Sequence, residues 1–493
     1  MAVYGDGTSL GTPTVAENKV AKRARTKVTL SMSLLTESTP LLCIVPCIVV
    51  RSFRSSLQGG VQVKRRFLWV LLFVLGTFVV AQSSGNVHGT ISYDPFAYTQ
   101  HPLGTVWGDP LPDAPALAAR GKFMVGVRTL QLFNPNQIDV INTLTSDSTI
   151  VYDRPLIVEV WYPAILEPGQ VQLTIYTDFL GRSDKPGSLR PYTFLGRATR
   201  DARPNTTDGP YPLVVVSHGY PGSRYLLAYL CENLASKGYV VASIDHTDST
   251  YRDVASFVST VVNRSLDQRF VAREILKMPI WKDLCDPNAV GIIGYSMGAF
   301  GALRTLGAGL EENDIVKRYF GRFTPMIVAK PSDEPDPLFK AAILFAPWGG
   351  AVGVSPTGVW NKESLAKINV PTLWIAGSQD DVAGYRGIVN LFESAVNSKR
   401  YLLTYLNALH NVAPHPAPPI AKEFDDYYRF ADPVWDIWRI NNINQHFVTA
   451  FFDYYLKRDE NAKTYLEVTP TSWPGFKPRT TIGLEFLTVD PRE

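Results

Sequence analysis

Cysteine is scarce in this chain, with 4 in 493 residues. Cys43 and Cys47 fall upstream of residue 82, so a domain that begins there keeps only Cys231 and Cys285 and has room for one disulfide at most. In an exported protein those two are expected to pair, the alternative being two buried free thiols that act as small hydrophobes. An excess of one charge sign is also missing. The 48 Lys and Arg nearly balance 45 Asp and Glu, leaving +3, and the basic residues are spread along the chain. Nucleic acid is therefore not an expected partner. Internal repeats and low-complexity tracts are absent too. A second cluster of ligating side chains is lacking beside Asp245-His246-Thr247-Asp248, so that run reads as a polar loop at a strand end, and no metal or organic cofactor is expected.

What the chain has in quantity is apolar residues, 45% of the total with 12% aromatic, enough length for one large domain with appendages or for two ordinary ones. Near the start, Lys64-Arg65-Arg66 precedes the apolar run Phe67 to Ala81, which ends in Val79-Val80-Ala81 before Gln82-Ser83-Ser84. Basic, apolar and small residues in that order describe a signal peptide over 63–81. The run is shorter than the roughly 20 residues of a spanning helix, which favours cleavage near Gln82 and export, either secreted or periplasmic. An uncleaved N-terminal membrane anchor is the alternative, and membrane contact is expected through this segment only. Residues 1–62 then form an upstream extension, read either as a start site assigned too early or as a real, poorly ordered segment.

From Gln82 to about Ala119 the chain is rich in Gly, Pro, Ser and aromatics without period and reads as a loosely structured arm. Residues 120–493 are expected to form the main domain. Strand-like runs at Lys122–Leu132, Ile150–Tyr162 and Val171–Thr177 lead to a long surface loop over Gly181–Gly209. After Pro212 the pattern changes to short apolar strands separated by helices: Leu213–Ser217, Val240–Ile244, Val290–Ile293, Ala341–Phe345, Thr372–Ala376 and Tyr401–Leu406. The intervening helices are Arg224–Lys237, Thr250–Leu276, Met297–Leu306, Tyr385–Ser398 and Ile443–Leu456. Such alternation predicts an α/β fold with a mostly parallel sheet covered on both faces.

One segment carries chemistry. Val290-Gly291-Ile292-Ile293 runs into Gly294-Tyr295-Ser296-Met297-Gly298 and then into a helical pattern. A G-x-S-x-G turn between strand and helix lifts the serine onto the end of the sheet, where a helix N-terminus favours developing negative charge. Ser296 is the candidate nucleophile. An oxyanion needs two backbone N–H donors, supplied by Met297 and by the turn Ser217-His218-Gly219-Tyr220-Pro221-Gly222, where Tyr220 is the candidate. His218 is read as ordering that turn. Downstream, Ala376-Gly377-Ser378-Gln379-Asp380-Asp381 offers an acid, Asp380 at the G-x-x-D position or else Asp381, which otherwise caps the next helix. His410 follows the next strand and completes the order Ser, Asp, His. His415 sits among prolines, His446 lies in a helix and His246 is out of order, so His410 is the candidate base. Glu311–Leu338 and the aromatic segment Pro414–Asn442 are candidate walls or lids, or else ordinary packing.

These motifs together carry a resemblance. Arg154-Pro155-Leu156-Ile157-Val158-Glu159-Val160-Trp161-Tyr162-Pro163-Ala164, Ser217 to Arg224, Val241 to Ser249 and Gly294 to Gly298 resemble the bacterial α/β hydrolases related to platelet-activating-factor acetylhydrolase, often labelled predicted dienelactone hydrolases. The resemblance runs from about Gly121 to about Leu456. It implies the α/β-hydrolase fold and a Ser-His-Asp triad at Ser296, His410 and Asp380, hydrolysing small or lipid-like esters through an acyl-enzyme. Dienelactone hydrolases use Cys where this chain has Ser296, and Tyr295 stands where such lipases and esterases often have His. Polyester or triacylglycerol hydrolysis, serine peptidase activity and an inactive hydrolase-fold binding protein are the alternatives. Oligomeric state is not legible in the chain.

Overall fold

The computed structural model describes residues 106–352 and 356–492. The expected extension over 1–62, the signal peptide over 63–81, Cys43, Cys47 and the arm as far as residue 105 lie outside the described residues. No helix among the described residues is long and apolar enough to cross a membrane.

Thirteen strands are present among the described residues. They are β1 (Met124–Ile138), β2 (Val151–Ile165), β3 (Thr174–Leu180), β4 (Arg190–Gly196), β5 (Thr199–Arg200), β6 (Arg203–Pro204), β7 (Tyr211–Ser217), β8 (Val240–Asp245), β9 (Cys285–Tyr295), β10 (Phe339–Phe345), β11 (Thr372–Gly377), β12 (Arg400–Tyr405) and β13 (Leu484–Val489). Eleven form one sheet in the order β13-β12-β11-β10-β9-β7-β8-β2-β1-β5, with β6 beside β2. The stretch from β8 to β12 is parallel, and its strands read as continuous apolar runs because both faces are covered. β7, Tyr211–Ser217, is buried at every residue. The principal helices are α1 (Ala228–Ser236), α2 (Phe257–Lys277), α3 (Met297–Thr305), α4 (Tyr385–Ser394) and α5 (Ile437–Tyr455). β8 lies on one side of β7 and β9 on the other, so the winding direction reverses there. Ligand clefts in such sheets open at the carboxyl ends of the strands flanking this reversal.

Several expectations are corrected. The loop expected over Gly181–Gly209 contains β4, β5 and β6, and β4 pairs antiparallel with β3 in a separate two-stranded sheet. Pro191 and the arginines that read as loop are tolerated because this hairpin borders solvent. The end of the arm is not loose. Trp107 is buried between Phe194 and His415, with ring centroids 4.5 and 4.1 Å away. The Leu111 N–H donates to Asn442 Oδ1 and the Leu117 N–H to His446 Nδ1, which fastens the segment along α5. The helix expected from Thr250 starts only at Phe257, because Asp253 holds Thr250 in a turn and Ser256 caps the helix. Cys231 and Cys285 are both free and buried, so the expected disulfide is not formed. One lies in α1 and the other at the start of β9, each enclosed by the apolar core, and burial raises both thiols, Cys285 to about 12.

Candidate active site

Ser296 sits between β9 and α3 with φ 54° and ψ −112°, a conformation that a residue with a side chain holds only under constraint. Its neighbours make the constraint possible. A β-carbon at Gly294 would collide with the backbone of Gly298 and Ala299, and one at Gly298 would collide with the carbonyl oxygen of Ser217. The Ser296 N–H donates to Phe345 O of β10 at 2.9 Å, fixing the elbow to the sheet. Ser296 is buried, 7% exposed.

His410 Nε2 is 3.0 Å from Ser296 Oγ, and its Nδ1 is 2.8 Å from Asp380 Oδ2. Nδ1–H therefore donates to the carboxylate and Nε2 accepts from the hydroxyl. Burial pushes the Asp380 carboxyl up, but electrostatic attraction and the hydrogen bond from the His410 imidazole, with the Ala383 and Val382 N–H groups, outweigh it and hold the carboxyl below its ordinary value. Asp380 divides its work: Oδ2 faces the imidazole, while Oδ1 accepts from Val382, Ala383 and Gly384 at 3.0, 2.7 and 3.2 Å. Asp381 is exposed, and its Oδ2 accepts from Tyr428 Oη at 2.6 Å. Asp381 does not cap the next helix, which starts at Tyr385 after Gly384 without a side-chain cap.

The loop that carries His410 is pinned on both sides. The Leu409 N–H donates to Asp432 Oδ2 at 2.7 Å, and Asn411 Nδ2 donates to Tyr428 O at 2.5 Å. Asn411 Oδ1 in turn accepts from Tyr295 Oη at 3.1 Å, so the residue before Ser296 braces the loop after His410. Within Pro414–Asn442, residues 416–438 line a cleft of about 330 Å³ whose walls include neither Ser296 nor His410. Closer to Ser296 is an aromatic chain that sequence reasoning missed: Tyr220 meets Phe257 at 5.5 Å, Phe257 meets Trp348 at 5.2 Å and Trp348 meets Phe300 at 5.9 Å. Its members come from two separate loops and two helices, with no shared periodicity to betray them. Glu311–Leu338 folds into short helices, including Asp314–Phe320 capped by Asn313.

The turn after β7 lies beside the elbow, since a β-carbon on Gly219 would sit 3.5 Å from Ser296 Cβ. Met297 is the first residue of α3, where an N–H has no acceptor within the helix. His218 is fully buried. Its Nδ1 contacts Gly219 O at 2.7 Å, its Nε2 accepts from the His246 N–H, and burial next to Arg264 holds it neutral. His246 is buried as well, with Nε2 2.8 Å from Ser217 Oγ and Nδ1 2.9 Å from Asp267 Oδ2. This second Ser-His-Asp set has no access to solvent, since all three side chains are at most 1% exposed. His415 and His446 are buried away from Ser296, among Trp107, Phe194 and Phe430 and among Phe447, Tyr465 and Phe476. No group of three His, Cys, Asp or Glu suited to a metal ion occurs among the described residues.

A mostly parallel sheet with a Ser-bearing elbow after β9, an acid after β11 and a histidine after β12 is the α/β-hydrolase fold. Residues 174–279 match the family described as Platelet-activating factor acetylhydrolase, isoform II. That stretch contains the Gly219–Tyr220 turn and α2 but stops short of Ser296. The chain is 29% identical over 225 residues to Cutinase est1 of Thermobifida alba, covering 45% of this chain and 59% of that protein. It is 27% identical over 226 residues to Cutinase 1 of Thermobifida cellulosilytica, covering 45% and 64%. A platelet-activating factor acetylhydrolase of Gallus gallus is 32% identical over 77 residues, covering 15% and 18%. The chain thus spans less than two thirds of these relatives. A ferulic acid esterase from Streptomyces cinnamoneus superposes with a TM-score of 0.47 at 21% identity, over 75% of this chain and 98% of that one.

Proposed function

We propose that the protein is a serine-dependent carboxylic-ester hydrolase acting on small or lipid-like esters through an acyl-enzyme, with Ser296, His410 and Asp380 as its triad. The observation that carries this reading is the unbroken relay from Ser296 Oγ to His410 Nε2 at 3.0 Å and from His410 Nδ1 to Asp380 Oδ2 at 2.8 Å, at a strained elbow. In the reaction His410 takes the Ser296 proton as Oγ bonds to the ester carbonyl carbon. The N–H groups of Met297 and Tyr220 receive the oxyanion, and Asp380 holds the imidazole in the required tautomer. Collapse breaks the C–O bond, and the leaving alkoxide takes the proton from His410. Water then attacks the acyl-enzyme, giving His410 a proton that returns to Ser296 as the acid departs. Each oxyanion donor contributes about 3 to 4 kcal/mol to such a barrier.

The likeness to cutinases favours polyesters as a second reading of the substrate, as do Val382 and Phe424, 57% and 74% exposed on segments flanking Asp380 and His410. Fluorophosphonate labelling of Ser296 separates enzyme from inactive binder. A panel of p-nitrophenyl esters of rising chain length, run beside polymer and peptide substrates, separates the readings of substrate. Hydrolysis by a folded Ser296→Ala variant at the rate of the parent would end the serine-hydrolase reading. The same proposal places the enzyme outside the cytoplasm with a mature terminus near Gln82, on the basic and apolar succession from Lys64 to Ala81. N-terminal sequencing of the exported protein decides that, and retention of Phe67–Ala81 in a membrane fraction makes the segment an anchor.

A further inference from the structure

Arg264 is a fully buried guanidinium in the middle of α2, and among the described residues it has no carboxylate within salt-bridge distance. Its donors go instead to the turn after β7: Nη1 to His218 O at 2.5 Å and Nη2 to Gly219 O at 2.8 Å. Ser249 Oγ receives Nη2 at 2.5 Å and holds the guanidinium in register. One helical turn on, Gln268 Nε2 donates to Gly298 O at 3.0 Å, its own Oε1 being held by Thr305. The close approach is written into α3, because a β-carbon at Gly301 would lie 2.7 Å from Arg264 Cβ and 2.6 Å from Gln268 Nε2. Behind this pair, Arg154 holds Asp267 with Nε at 2.9 Å and Nη2 at 3.1 Å, and Asp267 holds His246, which holds Ser217.

In a planar trans peptide the C=O of one residue and the N–H of the next point in opposite directions. Drawing Gly219 O down onto Arg264, beneath the turn, therefore aims the Tyr220 N–H up and away from α2. Gly219 itself borders Ser296, since a β-carbon on it would sit 3.5 Å from Ser296 Cβ. Tyr220 is tied at its far end as well, its hydroxyl donating to Ala255 O. A positive charge behind the two carbonyls also polarises both peptide groups in the sense that strengthens their N–H ends. We propose that Arg264 is a positioning residue that sets and polarises the oxyanion-binding peptide of Tyr220, with Ser249 holding Arg264 and Gln268 steadying the Met297–Gly298 side. This rests on the triad reading above.

The test compares Arg264→Lys, Arg264→Met, Ser249→Ala and, as a stability control on the same helix, Arg273→Gln, which loses its partly exposed pair with Asp336 and a bond to Arg269 O. Initial rates on p-nitrophenyl butyrate give kcat and KM, and an alkyl trifluoromethyl ketone, which adds to a serine as a tetrahedral oxyanion, gives a Ki. Both Arg264 variants should lose about 10- to 100-fold in kcat with KM within about 3-fold, because the oxyanion exists only beyond the ground state. The ketone Ki should weaken by the same factor as kcat/KM, a correlation that mere loosening of the fold does not produce. Ser249→Ala should show a smaller loss with the same split, and it carries the test if the Arg264 variants fail to fold. Arg273→Gln should keep kcat. A folded Arg264→Lys, or Ser249→Ala standing in for it, with kcat and ketone Ki unchanged overturns the inference, as does a loss confined to KM. If Ser296→Ala is inactive in the same assay while Arg264→Lys is fully active, the inference alone fails; if Ser296→Ala is active, the triad reading fails with it.

Discussion

Replacing Asp380 by Asn tests the acid in a way that separates chemistry from architecture. Oδ1 of Asp380 accepts three backbone N–H groups of the following turn, and Oδ2 accepts the imidazole Nδ1–H. An Asn side chain can keep its Oδ1 on the turn, leaving an NH2 facing His410. Two donors cannot share that line, so the imidazole must place its proton on Nε2, where it can no longer take one from Ser296. The expected loss is about 10³- to 10⁴-fold in kcat, or about 4 to 5 kcal/mol of barrier. Stability should change far less, by about 1 kcal/mol, because neutral acceptance replaces charge-assisted acceptance at the turn. The carboxyl lies below its ordinary value of 3.8 in the folded chain, so its stabilisation is present above that pH and vanishes as pH falls through the folded value. Asp380→Asn should therefore flatten the acid limb of stability as well. Asp381→Asn loses one surface bond to Tyr428 and should stay within about 3-fold of the parent. Steady-state rates on a short p-nitrophenyl ester, with thermal melts of each variant, measure both quantities. A folded Asp380→Asn within 10-fold of the parent, or a larger loss at Asp381→Asn, would refute the argument.

Alkylation without reduction, followed by mass spectrometry, should modify both Cys231 and Cys285 in the unfolded protein and neither in the native one; a recovered 231–285 bridge contradicts the free thiols. Gly298→Ala drives a methyl into Ser217 O, so urea denaturation should show a loss of at least about 1 to 3 kcal/mol. Burial holds His415 at about 4 and His446 at about 3 in the folded chain, against 6.5 when unfolded. Folded values below the unfolded one mean that stability falls as pH drops through 6.5. His218 and His246, also lowered by burial, add to the fall, and Asp178, raised to about 6, with Asp245 and Asp267, also raised, opposes it. Urea midpoints should imply a drop of at least about 2 kcal/mol between pH 7 and pH 5, and an unchanged midpoint would contradict neutral burial.

What was legible in the chain was what short segments dictate locally. Gly294 and Gly298 announce the elbow because no other residue fits those two backbone positions, and the six central strands read as apolar runs because both their faces are covered. Asp380 was preferred over Asp381 for its G-x-x-D position in the turn after β11, and its Oδ2 lies 2.8 Å from His410 Nδ1. What was hidden depends on distant partners. β4 carries Arg190 and Pro191 and declares itself only by lying against β3, while Trp107 looks like part of a loose arm until Phe194 and His415 close around it. Arg264, Asp267 and Gln268 are all buried in α2, because the polar groups they satisfy come from β2, from the turns after β7 and β8, and from α3. Charge in a sequence is taken for exposure when its acceptors lie tens of residues away.

The strand β13, residues 484–489, lies antiparallel on β12 at one edge of the sheet. During synthesis, β12 waits with one edge bare while nearly eighty further residues leave the ribosome. A bare apolar edge invites pairing with another copy. Truncation or proteolysis that removes residues from 484 onward would therefore spare Ser296, His410 and Asp380, yet leave Arg400–Tyr405 open to aggregation. Losses of yield in C-terminally shortened or poorly tagged versions are thus expected to come from the sheet edge, with the specific activity of the surviving soluble fraction unchanged.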